Sequence, residues 1–288
     1  MKTLYRLIAN TMAATLLLLT TTGFVQAANV LVVLSDTDTL ELKAGKTFSA
    51  GFYLNEAMQP VKMLLDAGHK ITFTTPTGRA PTLDKGSINA MFFGGDAQAM
   101  QHHIDLLDTL AITSPTQSPV LSLARIEQIG YEKFDALYVP GGHAPMQDLS
   151  INKDLGKLLQ EFHRSGKPTA LVCHGPIALI STLSRAAEFT ESLARANKVP
   201  AQQWIYAGYR MTVFSNAEEE ASKGQLNGGE MKFYPQTALQ QAGAKFHAKD
   251  LWQANIVEDR ELITGQNPAS AVGVGEKLLA RLALIKAH

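Results

Sequence analysis

Thr169-Ala-Leu-Val-Cys-His-Gly-Pro-Ile177 runs an apolar segment straight into a cysteine, a histidine and a glycine. The short apolar run marks a strand buried on both faces, and the segment from Pro176 reads as a helix. Cys173 therefore stands at a strand-to-helix elbow, held out at the top of a sheet. The helix N-terminus beyond it favours negative charge, so the thiol pKa is expected to be lowered. Gly175 permits a tight turn, and the His174 amide points to where an oxyanion would form. The logic is that of a nucleophile elbow with Cys in place of Ser.

Working outward, the same strand-then-helix alternation recurs. Asn29 to Ser35 and Lys70 to Thr75 read as strands, as does Ala136 to Pro140. Between the first two, Leu54, Met58, Val61 and Leu65 fall at helical spacing, and helices are expected over Ala97 to Thr109 and Leu155 to Arg164. Phe189 to Glu230 is less regular and reads as an insertion, around 189–210, with a strand at Met211 to Phe214. Two short strands, Asn255 to Glu258 and Glu261 to Thr264, turn at Asp259-Arg260, and Asn267-Pro268 opens a last helix. Alternating strands and helices predict a doubly wound, mainly parallel α/β sheet flanked by helices, with ligands bound beyond the carboxyl ends of the strands. One domain over 28–288 is expected.

Composition narrows the function. The 288 residues carry 26 basic and 26 acidic side chains, are 45% hydrophobic and hold one cysteine. A disulfide within the chain and a multi-cysteine zinc site are excluded by that count. With no basic excess there is no electrostatic case for nucleic acid. Residues 1–27 read as a secretory signal peptide: Lys2 and Arg6 precede a short apolar stretch, Met12 to Leu19, and small residues stand at Val25 and Ala27. That stretch is too short to span a bilayer, which takes roughly 20 apolar residues. Its removal leaves 261 residues of net charge −2. The mature protein is thus expected to be exported, to a periplasm or beyond, with no membrane association.

A second loop, Val139-Pro-Gly-Gly-His143, also follows a strand and emerges at the same edge. Its two glycines can aim backbone N–H groups at a developing oxyanion. Taken with Gly51-Phe-Tyr-Leu-Asn-Glu-Ala-Met-Gln-Pro-Val61, Phe214-Ser-Asn-Ala-Glu-Glu-Glu220 and Thr264-Gly-Gln-Asn-Pro-Ala-Ser-Ala-Val272, these segments resemble the ThiJ/PfpI superfamily, of the class I glutamine-amidotransferase-like, flavodoxin-like fold. Within it the chain is most similar to the glyoxalase III and heat-shock chaperone branch.

The resemblance implies that Cys173 is the nucleophile, His174 its acid/base neighbour and Glu56 a buried glutamate hydrogen-bonded to the thiol. It implies a third acidic residue orienting His174. Counting from Phe214 favours Glu219, with Glu218 and Glu220 beside it. Gly142 and His174 would supply the oxyanion-hole amides. Relatives often carry a further glycine where this chain has Ala144, which bears on pocket width. The implied reaction is glutathione-independent conversion of methylglyoxal to lactate, without a cofactor or metal, by a protein that often forms homodimers. Thiolate addition, proton transfer through an enediol and thioester hydrolysis need no redox group. Competing readings are a cysteine hydrolase of small amides or peptides, and a non-catalytic stress chaperone or redox sensor.

Elsewhere plainer readings hold. His102-His103 lacks a third metal ligand and is expected at the surface, as are His163 and His247. Gly273-Val-Gly275 fails the dinucleotide pattern because position 278 is leucine. Met91 to Phe93 is core or pocket wall, with Met91 and Phe92 candidates for a substrate entrance.

Overall fold

In the computed structural model, residues 27–196, 199 and 202–285 are described. The leader expected over 1–27 falls, Ala27 apart, outside them. The strands are β1 (Asn29–Val33), β2 (Thr39–Glu41), β3 (Thr47–Ser49), β4 (Lys70–Thr75), β5 (Leu121–Ser122), β6 (Ala136–Val139), β7 (Thr169–Val172), β8 (Arg210–Met211), β9 (Lys245–Phe246), β10 (Ile256–Asp259) and β11 (Leu262–Gly265). The helices are α1 (Leu54–Asp66), α2 (Ala97–Leu110), α3 (Leu123–Ile129), α4 (Lys153–Ser165), α5 (Ala186–Ala194), α6 (Asn216–Ser222), α7 (Pro235–Ala242) and α8 (Ala271–Ile285).

Seven strands form one sheet in the order β10-β11-β7-β6-β1-β4-β5. Every pairing is parallel except the edge strand β10, which runs antiparallel to β11 from Asp259↔Leu262 to Ile256↔Gly265. Successive side chains of a strand point to opposite faces, and here both faces are covered. Leu31, Val33, Leu137, Val139 and Leu171 enter one core with Leu155, Leu158 and Phe162 of α4. Val30, Val32, Ala136, Tyr138 and Ala170 enter the other with Met58 and Val61 of α1 and Val274 and Leu278 of α8. Burial on both faces is why these strands read as continuous apolar runs rather than alternating ones.

Two local expectations are corrected. The element after Cys173 is a 3-10 run, Gly175–Thr182, not an α-helix. It is buried along its whole length, so tertiary packing decides its winding. The strand expected at Met211 to Phe214 pairs only through Arg210–Met211 with β9; beyond it Thr212 N–H bonds the Thr264 hydroxyl and Phe214 N–H the Cys173 carbonyl. In the irregular segment around 189–210, Phe189, Trp204, Tyr206 and Tyr209 join the core.

Candidate functional site

The carboxyl ends of β6, β7 and β11 meet at Cys173. Its backbone is bonded on both sides, N–H to the Gly265 carbonyl at 2.9 Å and C=O from Phe214 N–H at 2.9 Å. That grip holds it at φ +59°, a left-handed conformation that a non-glycine residue adopts only where its surroundings enforce it. The strained turn puts the sulfur 3.3 Å from Nδ1 of His174. His174 Nε2 lies 3.1 Å from Oε1 of Glu219, and all three side chains are buried. With Nε2–H donating to the carboxylate, Nδ1 presents its lone pair to the thiol. Phe214 stacks on the imidazole, ring centroids 4.7 Å apart.

Three consecutive glutamates separate cleanly in space. Ser215 caps α6, and Glu218 completes a capping box with it. The fully buried Glu218 carboxylate accepts from Ser215 N–H, the Ser215 hydroxyl, Trp252 N–H, Gln266 Nε2 and Asn267 Nδ2 at 2.7–3.1 Å. Glu220 is exposed and bonds the Tyr234 hydroxyl. Only Glu219 turns to His174. The Ser-x-x-Glu pattern of a capping box, legible in Ser215 to Glu218, assigns Glu218 to the cap and frees its neighbour.

Glu56 enters from the first turn of α1, wholly buried. Its Oε2 accepts Gly141 N–H at 2.9 Å, while Oε1 has no polar partner of ordinary geometry among the described residues. Burial raises its pKa to about 8, against the lowering effect of the Cys173 thiol and the Gly141 amide. Glu56 is therefore held as the carboxylic acid at neutral pH, beside the Cys173 thiol. The expected lowering of the Cys173 pKa is overturned: burial, then the charge and hydrogen bond of Glu56, push the thiol well above its usual value. The 3-10 run behind it offers no long helix dipole to offset that burial. The amides of Gly142 and His174 act the other way, bonding the sulfur. Gly142 needs its hydrogen side chain: φ is +88°, and a Cβ there would strike the Gly51 carbonyl.

His143 was not singled out by sequence beyond its place in the loop. Its ring lies 4.5 Å from that of His174, and burial, followed by the charge on His174, keeps it neutral. One ligand atom each from His143, His174 and Glu219 lie within 4.8 Å of one another. Two imidazoles and a carboxylate are a donor set for a transition metal, and a cation held there would replace the direct His174–Glu219 hydrogen bond. His102 is exposed, and His103 packs on Phe93 with Nδ1 2.7 Å from the Ala99 carbonyl. His247 is exposed. His163 departs from the expected surface position, being half-buried and 2.7 Å from the buried Glu261.

Above Cys173 opens a cavity of about 650 Å³, whose walls include Tyr53, Met91, Phe92, Phe214 and Trp252. Met91 and Phe92 thus lie where the entrance was expected. Ala144 is buried outside the cavity lining, and the loop meets the cavity through Gly142 and His143. Among the described residues no helix is long and apolar enough to cross a membrane.

The DJ-1/PfpI family profile matches residues 47–205, more than half of the chain and inclusive of both loops and the Cys173 elbow. The chain belongs to the DJ-1/PfpI family. Among DJ-1/PfpI relatives, a glutathione-independent glyoxalase of Schizosaccharomyces pombe is 25% identical over 79% of this chain and 86% of its own. A glutamine amidotransferase-like class 1 domain-containing protein of Bos taurus is 29% identical over 55% of this chain; the match spans 64% of that relative's length, just under two thirds. The crystal structure of glyoxalase III from Candida albicans superposes with a TM-score of 0.64 at 20% identity, covering 88% of this chain and 97% of that one, which establishes the shared fold.

Proposed function

We propose that this DJ-1/PfpI protein is a glutathione-independent glyoxalase-type enzyme that converts methylglyoxal to lactate. The observation that carries the proposal is the line Cys173–His174–Glu219, at 3.3 and 3.1 Å, with protonatable Glu56 buried beside the sulfur. The family relatives named as glyoxalases support it.

Ionised Glu56 takes the thiol proton as sulfur adds to the aldehyde carbon, giving a hemithioacetal. The Gly142 and His174 amides, already directed at the sulfur, are placed to hold the new oxyanion. His174 Nδ1 then removes the C1 proton, its imidazolium balanced by Glu219. The resulting enediol is reprotonated at C2, leaving a lactoyl thioester on Cys173. Water releases lactate and restores the thiol. No electron leaves the substrate, so no redox partner is required. The leader read from residues 1–27 supports placing this activity outside the cytoplasm, and a homodimer is proposed from the family resemblance.

The test is lactate formation from methylglyoxal by purified protein without glutathione. Activity that vanishes in Cys173→Ala supports the reading. Absence of lactate, while the thiol still reacts with iodoacetamide, refutes it.

A further inference from the structure

We infer that this site is shaped to prefer a neutral α-oxoaldehyde bearing a bulky apolar, aromatic substituent over methylglyoxal, which it also turns over; the inference rests on the glyoxalase reading above. The cavity over Cys173 holds about 650 Å³, in the range of roughly 300–1,000 Å³ that accommodates drug-sized ligands. A three-carbon aldehyde bound at the sulfur would leave most of that space to water. The lining contains no Lys, Arg, Asp or Glu among the described residues, so no permanently charged side chain there pairs with a phosphate, a carboxylate or an ammonium group.

Aromatic rings make up much of its wall, beside a few neutral polar groups such as Gln59, Gln225 and Asn267. Tyr53 and Phe92 meet edge-on at 5.5 Å, and Phe214 and Trp252 lie 5.9 Å apart. Phe214 is the ring stacked on His174, so an apolar wall runs from the reacting atoms outward. Trp252 is held at φ +65°, an outlier for so bulky a residue. The hold is specific: Trp252 N–H bonds Glu218 at 3.0 Å, and Glu218 is the buried carboxylate that also fixes Asn267. Trp252 so positioned stays 47% exposed, and Met91 68%. An anchored tryptophan and an adaptable methionine at the mouth of an uncharged cavity match an aryl group stacking outward from the dicarbonyl.

The chemistry is unchanged and balanced. The thiol adds to the terminal aldehyde, the C1 proton moves to C2, and water cleaves the thioester to a 2-aryl-2-hydroxy acid.

Phenylglyoxal and methylglyoxal are compared as substrates of the purified protein, each rate normalised to the aldehyde's reaction with a free thiol. The expected kcat/KM for phenylglyoxal is about tenfold or more the higher, mainly through KM. Trp252→Ala is expected to lower the phenylglyoxal-to-methylglyoxal ratio about tenfold, and Trp252→Phe to restore most of it. Methylglyoxal turned over as well as or better than phenylglyoxal, with a ratio indifferent to Trp252→Ala, overturns this inference and leaves the glyoxalase reading standing. Turnover of neither aldehyde by an alkylatable Cys173 overturns both.

Discussion

His174 Nε2 and Glu219 Oε1 lie 3.1 Å apart between two buried side chains, while the adjacent Glu218 points into a separate network. Two neighbouring carboxylates on one helical turn thus have different duties, one toward the imidazole and one toward the loops around it.

Substitution separates those duties. Glu219→Gln keeps the shape but removes the charge that supports imidazolium, so kcat should fall about 10²–10⁴-fold with little loss of stability. Glu218→Ala strips five hydrogen bonds from a buried hub and should cost at least about 3 kcal/mol of stability, measured by urea unfolding.

The reaction should switch on with rising pH. Glu56 and Cys173 are both held protonated at neutral pH, and the first proton leaves the pair near the Glu56 value of about 8. A kcat/KM profile is expected to climb through that pH. In Glu56→Gln the rate should drop about 10²-fold or more and the limb should disappear.

Stability should move the opposite way. Unfolded Glu56 loses its proton near the ordinary glutamate value of 4.5, whereas the folded group keeps it to about 8. The folded state therefore binds the extra proton across that window, and stability falls as pH rises through it. The difference, up to about 5 kcal/mol, is absent in Glu56→Gln. Melting temperatures of the two proteins at pH 5 and pH 8 check this: the variant should gain on the wild type as pH increases.

Gly142→Ala tests the oxyanion amides. The left-handed φ and the Gly51 carbonyl leave no room for a methyl group, so the loop must shift and carry its N–H off the sulfur. Loss of about 10²–10³-fold in kcat is expected, with smaller effects on KM.

Much of this arrangement is legible in the sequence. The runs at Val30 to Val33, Leu137 to Val139 and Leu171 to Val172 declare strands buried on both faces, and Cys173 with Gly141-Gly142 marks the edge where they end. Glu56, in the first turn of α1, comes from the family resemblance of the Asn-Glu-Ala segment. What escaped is non-local. The raised thiol pKa depends on complete burial beside Glu56, 117 positions away in the chain, which no local pattern expresses. The Trp252 wall depends on a bond to Glu218, and His143 on packing against His174 and Phe48. The 3-10 winding of Gly175–Thr182 is likewise set by its packing rather than by its own apolar composition.

The most direct measurement is acid-quenched mass spectrometry of the protein during turnover of methylglyoxal without glutathione. Wild-type protein should carry an adduct of one methylglyoxal equivalent on the Cys173 peptide, formed and lost at rates that account for lactate production, and Cys173→Ser should show neither adduct nor lactate. Lactate formed at an undiminished rate by Cys173→Ser, or an adduct that never turns over, would contradict a mechanism built on this thiol.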